Sequence, residues 1–134
     1  MTRKRLRVLV VDDNEELLKG IVSGLSQYDF KAIGAKTADN AIVLCREEQI
    51  DVAIIDVVLE EGLSGPELIK LLRKSAPLMP IVAISGVENV RDCRACFKAG
   101  AQDYVAKPIS IGDLAQRVRE TFVQHSSFTE SKSQ

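Results

Sequence analysis

Five polar side chains in this sequence stand where an apolar run gives way to a loop. Asp12 and Asp13 follow "LRVLVV" (6–11), Asp56 closes "VAIID" (52–56), Ser85 closes "PIVAIS" (80–85), and Lys107 follows "QDYVA" (102–106). Any one of them alone reads as turn chemistry, because Asp and Ser are common where strands end. As a set they have a definite chemistry. Three carboxylates brought together raise one another's pKa unless a cation sits among them, and hard oxygen donors with room for water suit Mg²⁺. An ammonium and a hydroxyl beside them make a receptor for the equatorial oxygens of a phosphoryl group. Asp56 is then the natural nucleophile, since carboxylates accept phosphoryl groups as acyl phosphates.

That chemistry needs a fold that gathers the five residues. Strand-like and helix-like segments alternate five times. The runs at 6–11, 52–56 and 80–85 are nearly continuous in apolar residues, as expected of parallel strands covered on both faces. "FKAIGA" (30–35) and "QDYVA" are more broken and suit sheet edges. Between them, Leu17, Leu18, Ile21, Val22 and Leu25 recur at helical spacing behind Asn14, a capping residue followed by Glu15 and Glu16. A second helix is predicted through Ala38, Ala41, Ile42 and Cys45. A third starts at "SGPE" (64–67), a capping-box pattern with proline in the first turn, and is expected to bury Leu68, Leu71 and Leu72. A fourth over 88–98 stops at Gly100. A fifth starts near Ser110 and is expected to bury Ile111, Leu114, Ala115, Val118 and Phe122. The pattern predicts an α/β fold, (βα)5, doubly wound about one parallel sheet of order 2-1-3-4-5. Its topological switch point opens a crevice at the carboxyl ends of strands one and three.

Length and composition fit that frame. At 134 residues the chain is one domain, read as residues 1–124, with 125–134 a polar tail or the start of a linker. Eighteen basic and nineteen acidic residues leave a formal charge of −1, so bulk charge gives no sign of nucleic-acid or membrane binding. The basic "RKRLR" (3–7) reads as a solvated entry to the first strand. No apolar run approaches the ~18 residues of a membrane span, and no signal-peptide core is present, so a cytoplasmic location is expected. Three cysteines fit reduced thiols. "CRAC" (93–96) has redox-motif spacing but lies on a helical stripe with Val90, Phe97 and Gly100, so two small buried cysteines are expected. The sole histidine, His125, lies in the polar tail, which argues against zinc.

With these residues in view, the chain resembles the receiver domains of bacterial two-component response regulators, whose fold is flavodoxin-like. The resemblance spans about residues 5–124 and rests on "DD" (12–13), "IID" (54–56), "AISG" (83–86) and "GAQDYVAKP" (100–108) in combination. It implies that Asp56 is phosphorylated by a sensor histidine kinase or phosphotransfer protein. It implies that Asp13, Asp56 and the carbonyl of Val58 bind Mg²⁺ directly, with Asp12 reaching it through water. Ser85, Lys107 and the backbone N–H of Gly86 would contact the phosphoryl oxygens, and the Lys107–Pro108 peptide would be cis. Ser85 and Tyr104 would form the switch that remodels the face of helix 4, strand 5 and helix 5, a population shift biased by bonds to phosphate. Without the resemblance, Tyr104 reads as an edge-strand aromatic with a wet hydroxyl. The chain would be no conventional enzyme: it would catalyse its own phosphoryl transfer from a phosphohistidine donor and its own slow dephosphorylation. Val58 and Val87 depart from the polar residues relatives often carry two positions after the acceptor and the hydroxyl. That predicts a poorly held hydrolytic water and a long-lived phosphoryl group. The loop "VVLEEGLSG" (57–65) lacks the family's frequent proline and reads one residue longer.

Rival readings fare less well. A dehalogenase-like phosphatase needs an acid two residues after its nucleophile, where this chain has Val58. A flavin carrier needs a phosphate-binding loop after strand one, where "DDNEE" repels phosphate. A degenerate receiver acting as a phosphorylation-independent interaction module is the remaining alternative, and the complete acid set with Lys107 argues against it. The expected partners are the phosphodonor, an output domain or docking protein, and a second copy through the face of helix 4, strand 5 and helix 5, where "VRDCRACFK" (90–98) lies.

Overall fold

The computed structural model describes residues 5–59, 62–86 and 90–133, apart from the side chains of residue 90 and residues 126–133. Its strands are β1 (Leu6–Val11), β2 (Phe30–Ala35), β3 (Val52–Asp56), β4 (Ile81–Ser85) and β5 (Asp103–Ala106). Its helices are α1 (Glu15–Ser26), α2 (Ala38–Glu47), α3 (Gly65–Ser75), α4 (Val90–Ala99) and α5 (Ile111–Ser133). All neighbouring strands pair in parallel, in the order β2-β1-β3-β4-β5. The continuous apolar runs occupy the three inner positions, and every residue of β3 and β4 is buried. The broken runs form the two edges, as predicted.

Alternation along each strand divides the core in two. Leu9, Val11, Ala53, Ile55, Ile81 and Ala83 point to one face, under α2, α3 and α4. Val8, Val10, Val52, Ile54, Val82 and Ile84 point to the other, under α1 and α5. Each such buried valine, leucine or isoleucine contributes about 1.5–3 kcal/mol relative to exposure. These two layers fix the strand register, because a one-residue slip would turn each set to the wrong face.

The helix ends carry local chemistry that the sequence announces. The Asn14 side chain accepts from Leu17 N at the start of α1. Ser64 and Glu67 form the reciprocal capping box of α3. Ser110 accepts from Asp113 N at the start of α5. Gly100, with φ of 122°, closes α4: its N–H reaches the carbonyls of Cys96 and Phe97.

Several expectations need correction. Leu71 is 39% exposed, and Ile69 is the residue α3 buries with Leu68 and Leu72. Among the α5 residues expected to be buried, Leu114, Ala115 and Val118 are, whereas Ile111 and Phe122 are only half-buried. Only Cys96 of the "CRAC" pair is buried; Cys93 is intermediate, and Phe97 is 46% exposed. Helical spacing places such residues on a stripe, but the stripe's margins face water. The backbone of α5 is helical through Ser133, over residues read from the sequence as a polar tail or the start of a linker. Val87, residues 60–61 of the 57–65 loop and part of "RKRLR" lie outside the described residues. Among the described residues, no helix is long and apolar enough to cross a membrane.

Candidate functional site

Parallel register brings the candidate residues to one edge of the sheet. Val11 pairs with Ala35 and Ile55, Asp56 with Ile84, and Ser85 with Ala106. Asp12, Asp56, Ser85 and Lys107 therefore sit at, or one residue past, the ends of four adjacent strands. The ladder continues beyond the strands: Asp12 N donates to Ala35 O at 3.1 Å, Val57 N to Ile84 O at 2.9 Å, and Lys107 N to Ser85 O at 2.7 Å. These bonds hold the loop backbones at fixed spacing where the side chains emerge.

Lys107 makes the convergence explicit. Its Nζ lies 2.9 Å from Asp56 Oδ2 and 3.7 Å from Asp12 Oδ2, joining residues 51 and 95 positions apart. The peptide that follows, Lys107–Pro108, is cis. Asp56 Oδ1 accepts from Val58 N at 2.9 Å, so both of its oxygens are held. Asp12 Oδ1 accepts from Asn14 N at 2.9 Å, whereas Oδ2 is buried with no hydrogen-bond partner among the described residues. Burial pushes the Asp12 carboxyl above its ordinary value; the Asn14 amide opposes this, Asp56 adds to it and Lys107 offsets it. Asp12, Asp56 and Ser85 are all buried polar residues, while Asp13 is half-buried at the rim. Gly86 is exposed, and the nearest atom to a Cβ placed there would be Lys107 Cδ at 3.9 Å. The Val58 side chain is 56% exposed at the lip of the site.

Two features differ from what the residues alone suggested. Among the described residues no group of three His, Cys, Asp or Glu side chains forms a ready-made metal cluster. Asp12 and Asp56 instead share the Lys107 ammonium, which supplies the positive charge their proximity requires. Mg²⁺ is commonly held by only one or two carboxylates and several waters. A buried Asp12 oxygen that accepts no hydrogen bond among the described residues, beside Asp56, is thus a donor that fits such an ion. The second feature is Tyr104. Its ring packs against the α2–α3–α4 side of the core, and its hydroxyl is buried with no hydrogen-bond partner among the described residues. A wet edge-strand hydroxyl is the wrong picture.

One residue that positions the site was not singled out from sequence. Gly65 N donates to Val57 O at 3.1 Å, and a Cβ at Gly65 would lie 2.6 Å from Val57 Cα and 2.7 Å from Val57 O. Only glycine lets the start of α3 close onto the residue after Asp56. The signal was present in "SGPE", where the capping box explains Ser64 and Glu67 but not the glycine between them.

Comparison with known proteins agrees with this geometry. The sequence pattern of the response regulator receiver domain matches residues 8–119. The chain is 29% identical over 111 residues to the heme response regulator HssR of Staphylococcus saprophyticus, covering 83% of this chain and 49% of that protein. It is 33% identical over 112 residues to the probable transcriptional regulatory protein TcrX of Mycobacterium tuberculosis, covering 84% and 47%. The chain thus spans about half the length of the curated relatives it matches. Among solved structures, the Francisella response regulator 1452 receiver domain is similar with a TM-score of 0.81 at 28% identity, covering 90% of this chain and 98% of that one. A CheY-like receiver domain protein from Methanospirillum hungatei has a TM-score of 0.86 at 24% identity, covering 92% and 98%; that likeness concerns the fold.

Proposed function

This chain belongs to the response regulator receiver domain family, and we propose that it is a working phosphoacceptor with Asp56 as the acceptor. The observation that carries this reading is the contact of Lys107 with both Asp56 and Asp12 at the crevice. In the proposed step, an Asp56 carboxylate oxygen forms a bond to phosphorus as the N–P bond of a phosphohistidine donor breaks, leaving the imidazole on the donor. Lys107, already within reach of Asp56, follows the charge onto a phosphoryl oxygen. Ser85, at the adjacent strand end, turns its hydroxyl to another, and the exposed backbone of Gly86 presents an N–H to the same group. Asp12, Asp13, Asp56 and the Val58 carbonyl would hold Mg²⁺. That ion would neutralise charge on the transferring phosphoryl group.

The complete acid set, the paired lysine and the buried serine favour this reading over a phosphorylation-independent interaction module. We infer the output from the neighbouring residues. Ser85 ends β4 and Tyr104 lies on β5 beside it, paired with Ala83. Tyr104's buried, unpartnered hydroxyl is a group that gains by moving. A hydroxyl drawn toward the phosphoryl group at Ser85 opens space beside Tyr104, and the α4–β5–α5 face changes shape. That face, with Phe97 exposed on it, is where an output domain, a docking protein or a second copy would bind. The phosphodonor is a histidine kinase or phosphotransfer protein in the cytoplasm. Incubation with acetyl phosphate and Mg²⁺ should add one phosphoryl mass to the intact protein, and Asp56→Asn should abolish it. An adduct of equal yield in Asp56→Asn would overturn the assignment.

A further inference from the structure

Far from the crevice, at the opposite end of the sheet, one cation has no acid among its hydrogen-bond partners in the described residues. Arg73, near the end of α3, donates from Nη1 to the carbonyls of Ala76 (3.1 Å), Pro77 (3.1 Å) and Met79 (2.6 Å). From Nη2 it donates to Gly100 O (2.7 Å) and Gln102 Oε1 (2.9 Å). Burial lowers the pKa of this guanidinium from its ordinary value. A desolvated cation whose acceptors among the described residues are all neutral is held by geometry, and the planar fork of arginine is what can satisfy so many oxygens at once.

The acceptors decide what this contact does. Ala76, Pro77 and Met79 belong to the turn that leaves α3, where carbonyls lack helical partners and a cation is favoured. Gly100 closes α4, and Gln102 leads into β5. Gln102 Oε1 also accepts from Ile81 N at 2.7 Å, tying the group to the first residue of β4. The end of α4 is secured in three further ways. Gly100 N reaches Cys96 O and Phe97 O, Ala101 N reaches Cys96 O at 3.0 Å, and Cys96 itself is wholly buried. A Cβ at Gly100 would lie 2.9 Å from Arg73 Nε, so the guanidinium and the helix end are in direct contact. The other end of α4 follows Ser85 and Gly86, to which the proposed function assigns the phosphoryl oxygens.

We propose that Arg73 is a positioning residue that pins the C-terminal end of α4, so that phosphorylation of Asp56 tilts α4 about Gly100 instead of translating the whole helix. The tilt rests on the phosphoacceptor reading; the pin does not. A shift entering α4 from the Ser85–Gly86 end meets a fixed far end, and the displacement is greatest in the first turns. The exposed part of the output face that changes is then the start of α4, while its junction with β5 stays constant.

Hydrogen exchange on the full chain tests both parts, using wild type, Arg73→Met and Arg73→Lys, each with and without acetyl phosphate and Mg²⁺. Without phosphorylation, Arg73→Met should speed exchange at residues 97–101 by roughly ten-fold or more, with β1 and β3 little changed. Arg73→Lys, which keeps the charge but not the fork, should recover only a small part of that protection. In phosphorylated wild type, exchange should change over residues 90–95 and hold steady over 97–101; in phosphorylated Arg73→Met both segments should change. A merely structural role for Arg73 would not produce that confinement. Equal changes at both ends of α4 in wild type would overturn the tilt without needing any variant. Unaltered exchange at 97–101 in unphosphorylated Arg73→Met would overturn the pin. Absence of any phosphoryl adduct by intact mass would refute the phosphoacceptor reading and the tilt together, leaving the unphosphorylated comparison to decide the pin.

Discussion

Replacing Lys107 with methionine keeps most of the side chain's bulk and removes the one charge that Asp12 and Asp56 share. The ammonium lies 2.9 Å from Asp56 and 3.7 Å from Asp12; its side chain is 25% exposed, and theirs are 9% and 3% exposed. Exposed ion pairs contribute about 0–1 kcal/mol, whereas removing one partner of a fully buried pair costs about 3–5 kcal/mol. A quarter-exposed lysine serving two buried acids falls between these limits. We therefore expect Lys107→Met to lose about 2 kcal/mol in chelator at neutral pH, which for a chain of this size lowers Tm by roughly 6–10 °C. Adding millimolar Mg²⁺ should narrow the gap, because a cation that binds only the folded state stabilises it by mass action and no longer competes with the ammonium. Thermal melts of both proteins in EDTA and in Mg²⁺ make the comparison. Equal Tm values in EDTA, or a gap that Mg²⁺ leaves unchanged, would refute the view that Lys107 offsets the acids.

Three further outcomes follow from the same geometry. Gly65→Ala forces a methyl group against the Val57 backbone. It should cost about 1–3 kcal/mol in urea unfolding and slow the phosphorylation of Asp56 by acetyl phosphate. The Asp12 pKa is raised in the folded state from 3.8, so the folded protein holds the extra proton between 3.8 and the raised value, and Asp12's contribution to stability falls as pH rises through that window. In chelator, Asp12→Asn should therefore be more stable than wild type at neutral pH, with the difference shrinking as pH falls toward 3.8; a difference that grows on acidification would reverse the assignment. Val58→Asn places an amide at the lip of the site, where it can hold the hydrolytic water. It should hasten dephosphorylation roughly five-fold, the equivalent of a ~1 kcal/mol hydrogen bond, followed as the decay of the phosphoryl mass; an unchanged or slower decay would count against it.

The strands were readable because burial on both faces leaves a continuous apolar run, and β1, β2 and β3 begin and end where those runs do. The site was readable for a related reason: in a parallel sheet the carboxyl ends line up, so a polar residue closing each run marks its own place on the rim. Helix margins were less legible. Leu71 and Phe97 have the spacing of buried residues, but the width of the covered stripe depends on neighbouring helices that no local window contains. The continuation of α5 past Phe122 left no apolar period to detect. Charge compensation was legible in kind but not in partner: the sequence assigned Mg²⁺ to the acids and Lys107 to the phosphoryl oxygens, whereas Lys107 itself stands between Asp12 and Asp56. Arg73 was invisible because two of its acceptors lie 27 and 29 residues away, and nothing at either position marks the pair.

The phosphoacceptor assignment stands or falls on where the phosphoryl group resides. Borohydride reduces an acyl phosphate of aspartate to homoserine, so treatment of the acetyl phosphate-labelled protein, followed by peptide mass mapping, reports the modified residue directly. Homoserine at position 56, dependent on Mg²⁺, is the predicted result. Homoserine at position 12 or 13, or at none of the three, would contradict it.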